Sequence, residues 1–96
     1  MIGRHRIIHV SYDGYLVTIH SEDGPIDTTM SLATLADELQ GAHWVRVHRR
    51  HILNLNQVTR LESIDSGGYI AHMSNGDCVP VSRQAARDFR RQKKTQ

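Results

Sequence analysis

A cluster of two arginines between two histidines, His48-Arg49-Arg50-His51, is the part of this sequence best equipped for chemistry. Trp44 and Val47 precede the cluster and predict a buried strand that ends where the cluster begins. A guanidinium held at a strand end can donate two parallel hydrogen bonds to a planar acceptor, such as a phosphate or the edge of a guanine. The alternative is that both arginines are solvated loop residues and that His48 has a structural role. These residues alone leave both interpretations open.

The distribution of charge favours a polyanionic partner more strongly than the formal net charge of +2 does. Residues 1–43 contain two Arg and six acidic residues, a balance of −4, whereas residues 44–96 contain ten Lys or Arg and four acidic residues, a balance of +6. A basic half beside an acidic half indicates a surface for a polyanion such as nucleic acid. The alternative is a solvated surface with a solubilising basic tail.

The seven histidines suggest a competing interpretation, a metal-dependent enzyme. His5 and His9 are four residues apart, and His48 and His51 are three apart, spacings that bring two ligands together on a helix. However, the first pair lies in a strand pattern, and the second has no nearby cysteine and no obvious third ligand. Cys78 lies in a predicted strand, where a lone cysteine usually packs as a small hydrophobe. We therefore predict no catalytic residue, no metal, no cofactor and no enzyme activity, and we expect a chelator to change neither folding nor the binding of a polyanion.

Length and composition indicate one small globular domain. The chain has 96 residues, of which 39% are hydrophobic and 23% are charged, values typical of a folded domain. A single cysteine excludes an internal disulfide and indicates a reducing compartment. No apolar run approaches the ~18 residues of a membrane span, and the first residues lead into no apolar signal core. We predict a cytoplasmic protein that has no membrane partner.

Short strands separated by turns must position most of these side chains. Apolar and β-branched segments predict seven strands, at residues 6–10, 15–20, 26–29, 44–47, 58–64, 69–73 and 78–81. Asp13 and Gly14 predict a two-residue hairpin turn with a positive φ at both positions. Because Pro80 cannot donate to a ladder, the last strand is expected at a sheet edge or to leave the sheet there. The short third strand is also expected at an edge.

Two segments have helical rather than strand periodicity. The first has Ser31 as its N-cap, Gly41 as its left-handed end and four apolar residues on one face, Leu32, Leu35, Ala36 and Leu39. The second begins at Ser82 and ends at about residue 91, with one apolar face and one basic face. A helix this short is marginal in isolation, so we expect Phe89 to dock on the sheet.

The C-terminal segment is strongly basic, because residues 82–96 carry six basic groups and one acid. Residues 92–96 contain no apolar anchor and are predicted to fray. The predicted organisation is therefore a single domain at residues 1–91, followed by a frayed basic tail. One function that this segment allows is a non-specific nucleic-acid-binding module that uses the basic C-terminal helix.

Together, these motifs resemble the LytTR-type DNA-binding domain, an output domain of bacterial response regulators in two-component systems. The resemblance extends from residue 7 to about residue 90 and rests on the Tyr12-Asp13-Gly14-Tyr15 hairpin, the helix at 31–39, Trp44-Val45-Arg46-Val47-His48-Arg49, Asn54, Asn75-Gly76 and Val79-Pro80-Val81-Ser82-Arg83. It implies a mostly β fold with two short helices, in an elongated LytTR-like arrangement of short antiparallel sheets.

The resemblance also implies sequence-specific binding of double-stranded DNA by a bacterial transcription regulator. Such domains insert loops, rather than a recognition helix, into successive major grooves, and direct-repeat sites are typical. The predicted DNA-binding residues are three matching positions and three of their neighbours: Tyr15, Arg49 and Arg83, with His48, Arg50 and Arg87. Arg49 and Arg83 are the implied base contacts, since arginine to guanine is the commonest specific contact. His48 and Asn54 are expected mainly to hold their loop in shape, and Ser82 to cap its helix and present Arg83.

The sequence departs from the family pattern in two respects. Arg50 occupies a position that is usually small and polar, so the extra cation adds a phosphate contact or changes which base is contacted. No receiver or sensor domain accompanies the DNA-binding domain in these 96 residues. The expected partners are double-stranded DNA and, on an adjacent direct repeat, a second copy of a monomeric chain. Only five aromatic residues are present, which argues against a single-strand or RNA-binding module that stacks bases.

Overall fold

The computed structural model of the protein describes residues 4–39, 41 and 43–94, with side chains at 5–39, 41 and 43–88. Its strands are β1 (Ile7–Tyr12), β2 (Val17–Ser21), β3 (Gly24–Thr28), β4 (Trp44–His48), β5 (His51–Asn54), β6 (Val58–Ser63), β7 (Tyr69–Met73) and β8 (Cys78–Val81). Its helices are α1 (Leu32–Glu38) and α2 (Arg83–Lys94), and short 3-10 turns cover Arg4–Arg6 and Leu55–Gln57. This mostly β composition with two helices confirms the predicted fold class.

The strands form two antiparallel sheets. The larger sheet has five strands in the order β3-β2-β1-β5-β4, and the smaller has three in the order β6-β7-β8. β3 and β8 lie at sheet edges, as their sequences predict. Pro80, which has no N–H to donate, therefore pairs with only one neighbouring strand. The described body measures 34 × 29 × 24 Å and is modestly elongated.

The five-stranded sheet is apolar on both faces, which places it in the middle of the molecule. One face packs against the smaller sheet and α2 in a cluster of buried residues: Ile8, Val47, Leu53, Ala71, Met73, Val79, Val81, Ala85 and Ala86. The opposite face packs against α1 in a second cluster: Ile7, Val10, Val17, Leu32, Leu35, Leu39, Trp44 and Ile52. Full burial of one large aliphatic side chain contributes about 1.5–3 kcal/mol, so both clusters stabilise the central sheet.

Strand β5 lies inside the larger sheet but is not among the seven predicted strands. Its only large apolar residues are Ile52 and Leu53, and it follows directly after the two-arginine turn. An apolar run this short is below the length at which periodicity identifies a strand. β5 is defined instead by its partners, since it pairs with β1 on one side and β4 on the other.

The connection between β1 and β2 is a four-residue loop rather than the predicted two-residue turn. Gly14 has a φ of 102°, but Asp13 has no positive φ, so the predicted pair of left-handed residues is wrong. Instead, Asp13 Oδ1 accepts hydrogen bonds from the N–H groups of Tyr15 at 2.8 Å and Leu16 at 2.9 Å. These bonds stabilise a wider loop, and the strand predicted to begin at Tyr15 begins at Val17.

Both helices have the predicted serine caps. Ser31 Oγ accepts the N–H three residues later at 3.1 Å, and Ser82 Oγ does the same at 3.2 Å. α1 ends at Glu38, and Gly41 follows it with a φ of 142°. α2 continues to Lys94, beyond the predicted end at about residue 91, while the predicted docking of Phe89 lies outside the described side chains. Within the described ranges, no helix is long and apolar enough to span a membrane.

Candidate nucleic-acid interface

Arg49 and Arg50 form the two-residue turn that joins β4 to β5. The backbone of this turn is fixed on both sides, because Arg50 N–H donates to His48 Nδ1 at 3.2 Å and Arg46 Nη2 donates to the Arg49 carbonyl at 3.0 Å. The Arg49 side chain is exposed, and none of the hydrogen bonds among the described residues involves its guanidinium. A free guanidinium on a fixed backbone can form two parallel hydrogen bonds with a guanine edge or a phosphate.

The Arg50 side chain packs on the neighbouring strand β1. Its guanidinium carbon lies 5.8 Å from the centre of the Tyr12 ring, within the range of a cation–π contact. The Arg50 carbonyl also accepts a hydrogen bond from Tyr12 N–H at 2.9 Å. Arg50 is therefore anchored beside the β1–β2 loop, with its charge exposed but its reach restricted.

Tyr15 lies in the β1–β2 loop, and 92% of its surface is exposed. The N–H groups of Leu16 and Tyr15 hold the pKa of the Asp13 carboxyl below its ordinary value, so the carboxylate that shapes this loop is charged. A cleft of about 490 Å³ extends from Tyr15 to Arg49 and to the start of α1. The loop and the β4–β5 turn thus form two sides of one concave surface.

The start of α2 lies beside the end of β4, because Ser82 N–H donates to the Val47 carbonyl at 2.9 Å. A second depression, of about 520 Å³, lies at this junction and is lined by Arg46, His48, Arg49 and Ser82. Arg83 follows directly, and Arg87 is exposed one helical turn later. The β4–β5 turn therefore lies between the β1–β2 loop and the start of α2.

Arg83 is held by a distant part of the chain. Its Nη2 donates to the Ser66 carbonyl at 3.0 Å, in the turn between β6 and β7. The guanidinium lies over Gly67, where a Cβ would overlap with it. Of the five N–H groups of a guanidinium, the other four have no partner in the described part of the chain. The orientation of Arg83 is therefore set through its side chain.

Two histidines flank the β4–β5 turn and pack against each other. His48 is half-buried, and its ring meets the His51 ring edge-to-face at 5.5 Å. Burial, together with the charge of His48, lowers the pKa of His51 to about 4, so His51 is neutral at physiological pH. The hydrogen bond from Arg50 N–H gives His48 a role in shaping the turn, and a direct contact of His48 with DNA stays a prediction.

Asn54, which the sequence suggested as a residue that shapes the loop, lies at the far end of β5. Its side chain is 1% exposed, and its Nδ2 donates to the Ile7 carbonyl at 3.0 Å. Its Oδ1 accepts the N–H of Asn56 at 3.0 Å. Asn54 thus ties β5 to β1 and caps the following 3-10 turn, a structural role in the sheet.

Arg46 is a residue of this surface that the sequence-based prediction omitted. It is exposed on β4 and lines both depressions, and its guanidinium supports the Arg49 carbonyl. The sequence did contain a signal for it, an arginine between the apolar residues of a strand. Because an unpaired charge in such a strand must face solvent, this arginine could have been predicted to lie on the surface. The whole surface offers cationic donors and a phenol, which is the chemistry of a polyanion-binding site.

Side chains able to hold a metal come together elsewhere. His9, His20 and Asp77 place three ligand atoms within 4.8 Å of one another. The sequence-based prediction considered histidines three or four residues apart, and it missed this group. The register of β1 with β2 is what brings His9 beside His20.

Comparison with known proteins matches one family along almost the whole chain, since the sequence model of the LytTr DNA-binding domain matches residues 1–94. The transcriptional regulatory protein LytR of Staphylococcus aureus (strain MW2) is 26% identical over 90 residues, which are 94% of this chain and 37% of LytR. The sensory transduction protein LytT of Bacillus anthracis is 31% identical over 88% of this chain and 35% of LytT. The CO-responsive transcriptional regulator RcoM of Rhodospirillum rubrum is 31% identical over 80% of this chain and 33% of RcoM. The chain spans about a third of the length of these relatives.

A solved structure has the same fold. A LytTr DNA-binding domain from Bacillus cereus matches with a TM-score of 0.85 and 22% sequence identity, over 96% of this chain and 84% of that one. At this identity the likeness establishes the fold alone. It confirms the mostly β fold class, with short antiparallel sheets and two helices, that the family resemblance implies.

Proposed function

The chain belongs to the LytTr DNA-binding domain family, and from this premise we propose that it binds double-stranded DNA sequence-specifically through loops that enter the major groove. The family membership itself establishes DNA binding in transcription regulation. The chain aligns with only 33–37% of the length of these relatives, so we place the domain in a bacterial cytoplasmic regulator that couples it to a separate input domain.

The position of Arg49 is the observation that carries the proposal. The turn backbone around Arg49 is hydrogen-bonded on both sides, yet the guanidinium itself is exposed and unpaired among the described residues. The fixed turn has little backbone entropy left to lose on binding, and the unpaired guanidinium has its donors available for a bidentate contact with guanine O6 and N7. We therefore assign the central base contact to Arg49.

Arg83 and Tyr15 lie on either side of this contact. Arg83 is oriented by the Ser66 carbonyl and retains free N–H groups, so we assign it a second guanine contact. Tyr15 is almost fully exposed at the tip of its loop, where its ring can pack on a thymine methyl group or its hydroxyl can bond a phosphate. Three points of contact on one surface fix the orientation of the domain on the duplex.

The remaining arginines of the surface are assigned to the phosphate backbone. Arg46 supports the turn, Arg50 is anchored on Tyr12, and Arg87 is exposed on α2. Phosphate contacts set the position of a protein on DNA without distinguishing bases, and they tolerate a restricted guanidinium. The arginine at position 50, unusual in the family, is therefore proposed to strengthen binding without changing the sequence preference.

We also propose that the chain is a monomer which occupies one half-site, with a second copy on an adjacent direct repeat. The large hydrophobic residues exposed in the described part of the chain are Tyr15, Leu16, Ile26 and Ile64, which belong to three separate segments. Such scattered residues do not form the contiguous apolar area of a stable dimer. Sedimentation without DNA is expected to give a monomer, and a tight dimer at micromolar concentration would contradict this.

The direct test is selection of duplexes from a random pool, followed by sequencing of the bound fraction. The wild-type chain is expected to enrich a guanine-containing motif that recurs on the same strand. Arg49→Ala is expected to lose the preference at one guanine position while it retains the others. A pool that stays random with the wild-type chain would overturn the proposal.

Arg60→Ala provides the matched control for this selection. Arg60 is also an exposed arginine, but it lies on β6 and its guanidinium bonds to Glu62 and His72, outside the surface with Arg49. Its loss removes the same charge and is expected to leave the enriched motif unchanged. If Arg60→Ala changes the motif as Arg49→Ala does, net charge rather than the turn determines the preference.

The alternative is a non-specific module in which α2 supplies most of the contact. One observation favours it: α2 is helical to Lys94, so the basic positions at helical spacing in its sequence belong to one continuous helix. In that case the ratio of specific to non-specific affinity is close to one, and loss of the α2 charges weakens both equally. The selection experiment separates the two functions, because only loop contacts yield a motif.

A further inference from the structure

We propose that His9, His20 and Asp77 form a binding site for a divalent transition-metal ion of the zinc class. The three side chains come from β1, β2 and the turn between β7 and β8, and their ligand atoms lie within 4.8 Å of one another. The site would therefore link the two sheets, and the proposal replaces the expectation from the sequence that the chain binds no metal. The site lies at the end of β8 opposite Arg83 and uses none of the side chains assigned to DNA contacts.

The geometry of the three ligand atoms suits a tetrahedral ion. Asp77 Oδ2 lies 2.8 Å from His9 Nε2 and 3.8 Å from His20 Nδ1. A tetrahedral ion with bonds of about 2.0–2.1 Å separates its ligands by about 3.3–3.4 Å, which is between these two distances. The imidazole rings are stacked at 4.0 Å with 10° between their planes, and both present a nitrogen to the same carboxylate. Because each nitrogen lone pair lies in its ring plane, the two rings must turn apart for both nitrogens to bind one ion.

Neighbouring groups orient two of the ligands. Ser11 Oγ lies 2.9 Å from His20 Nε2, and when Nε2–H donates to it the lone pair is on Nδ1, which faces Asp77. Asn75 Nδ2 donates to Asp77 Oδ2 at 2.9 Å and holds the carboxylate. A hydrogen bond from the second ring nitrogen of a ligating histidine, and hydrogen bonds to a ligating carboxylate, are the usual support of metal sites in proteins.

The burial of the group leaves room for a fourth ligand. The His9 side chain is 5% exposed, His20 25% and Asp77 44%, so the site is closed on the side of His9 and open on the side of the carboxylate. Water can complete the coordination there. His9 Nδ1 is buried without a partner among the described residues, and the proton must lie on it when Nε2 binds a metal. This cost weakens the site, and we expect a dissociation constant in the micromolar range.

His72 also has polar neighbours, but they are not arranged to bind one metal ion with it. His72 Nε2 lies 2.8 Å from Glu62, and its Nδ1 lies 3.6 Å from Cys78 Sγ. These two partners contact opposite nitrogens of one ring, so His72 cannot bring both to one ion. His72→Gln therefore removes a histidine paired with a carboxylate, as His9 is, without touching the proposed site.

The test is titration of the chelator-treated full chain with Zn²⁺, with the imidazole resonances followed by NMR. One equivalent is expected to shift the resonances of His9 and His20 together and to leave those of His72 unchanged. The midpoint of thermal unfolding is expected to rise by about 5–10 °C at a tenfold excess over the dissociation constant. If Zn²⁺ shifts all the histidines weakly and without saturation at one equivalent, the proposal is wrong.

Variants separate this site from adventitious binding by surface histidines. His20→Gln and Asp77→Asn are each expected to weaken Zn²⁺ binding at least about tenfold and to abolish the thermal shift, whereas His72→Gln retains both. Ser11→Ala keeps all three ligands and is expected to weaken binding by about tenfold through loss of the supporting bond. Equal affinity of the wild type and His20→Gln, or an equal loss in His72→Gln, would overturn the proposal even if one variant proved unstable.

Discussion

The β4–β5 turn and the start of α2 each bring an arginine to the same surface, but they hold it by opposite means. At Arg49 the backbone is fixed by two hydrogen bonds, and the guanidinium has no partner among the residues that the structure describes. At Arg83 the guanidinium is bonded to Ser66, in a turn 17 residues earlier in the chain. The first arrangement depends only on its own hairpin, whereas the second depends on how the β6–β7 turn packs against α2. Substitutions in the β6–β7 turn should therefore displace Arg83, whereas Arg49 should respond only to substitutions in its own hairpin.

Loss of the Arg49 guanidinium is expected to have the largest effect. Arg49→Ala should lower the affinity for the selected site by about 1–3 kcal/mol more than the affinity for random DNA. Arg49→Lys retains the charge but not the paired donors, so it should lose most of the same discrimination. The measurement is the ratio of specific to non-specific affinity at one salt concentration. An unchanged ratio in both variants would show that the fixed turn does not contact bases.

Protonation of His51 is expected to weaken the support of the same turn. Its pKa is about 4 in the folded protein and about 6.5 in an unfolded chain, so between these values the unfolded state binds more protons. Stability is therefore lost as the pH falls from about 6.5 towards 4. After a reduction for solvent screening at a half-buried ring, the loss is about 1–2 kcal/mol.

Urea unfolding of the wild type and His51→Gln at pH 7 and pH 5 measures this contribution. Other groups titrate equally in both chains, so the difference between their pH dependences isolates His51. The wild type should lose more stability than the variant over this range. Equal losses would mean that His51 is not held neutral in the folded protein.

A methyl group at Gly67 is expected to move Arg83 without removing it. Gly67→Ala places a Cβ where the guanidinium lies, so it should reduce the affinity for the selected site a few-fold. The loss should not exceed the about 1–3 kcal/mol expected when Arg83 itself is removed. In an Arg83→Ala background the same substitution should have no further effect on DNA binding. An additional loss in that background would show that the two positions act separately.

Gly76→Ala is the matched control for backbone strain. Gly76 has a φ of 91°, close to the 93° of Gly67, but no atom lies within 4 Å of its ideal Cβ. Both variants should lose about 1 kcal/mol of stability because alanine disfavours a positive φ. Only Gly67→Ala should lose affinity for the selected DNA.

The smallest effect is expected from the lysines near the end of α2. Replacement of Lys93 and Lys94 by Gln should weaken binding to the selected site and to random DNA about equally, since an ammonium contributes charge but no paired donors. Each lost phosphate contact should reduce the slope of log affinity against log salt by about 0.9. If this double variant abolishes the preference for the selected site while Arg49→Ala does not, α2 rather than the turn determines specificity.

The elements with local signals could be predicted from the sequence. The caps at Ser31 and Ser82 depend on one side chain and the following turn, and the edge position of β8 follows from Pro80. The β1–β2 loop was predicted wrongly because the Asp13 carboxylate bonds to its own backbone and widens the turn. β5 could not be found because pairing with β1 and β4, not periodicity, makes it a strand.

The candidate interface likewise contains some features that the sequence predicts and others that depend on tertiary packing. Arg49 and Tyr15 lie where the family motif implies, on exposed connections between strands. The contact between Arg83 and Ser66 could not be predicted, since it depends on how α2 and the β6–β7 turn pack. The proximity of His9 and His20 needed the register of two strands, including an irregularity near the start of β1.

The place of β1 in the larger sheet has a consequence for how the chain folds. β1 is the first strand in the sequence but the central one in space, and it pairs His9 with Leu53 and Ser11 with His51. The β1–β2–β3 and β4–β5 units form from neighbouring residues, within about 1–10 μs for a hairpin, whereas the β1–β5 ladder requires closure of a long loop. We expect that step to limit the folding rate. Until β5 is synthesised, β1 keeps an open edge beside Ile8 and Val10, and the nascent chain is most prone to aggregate in that interval.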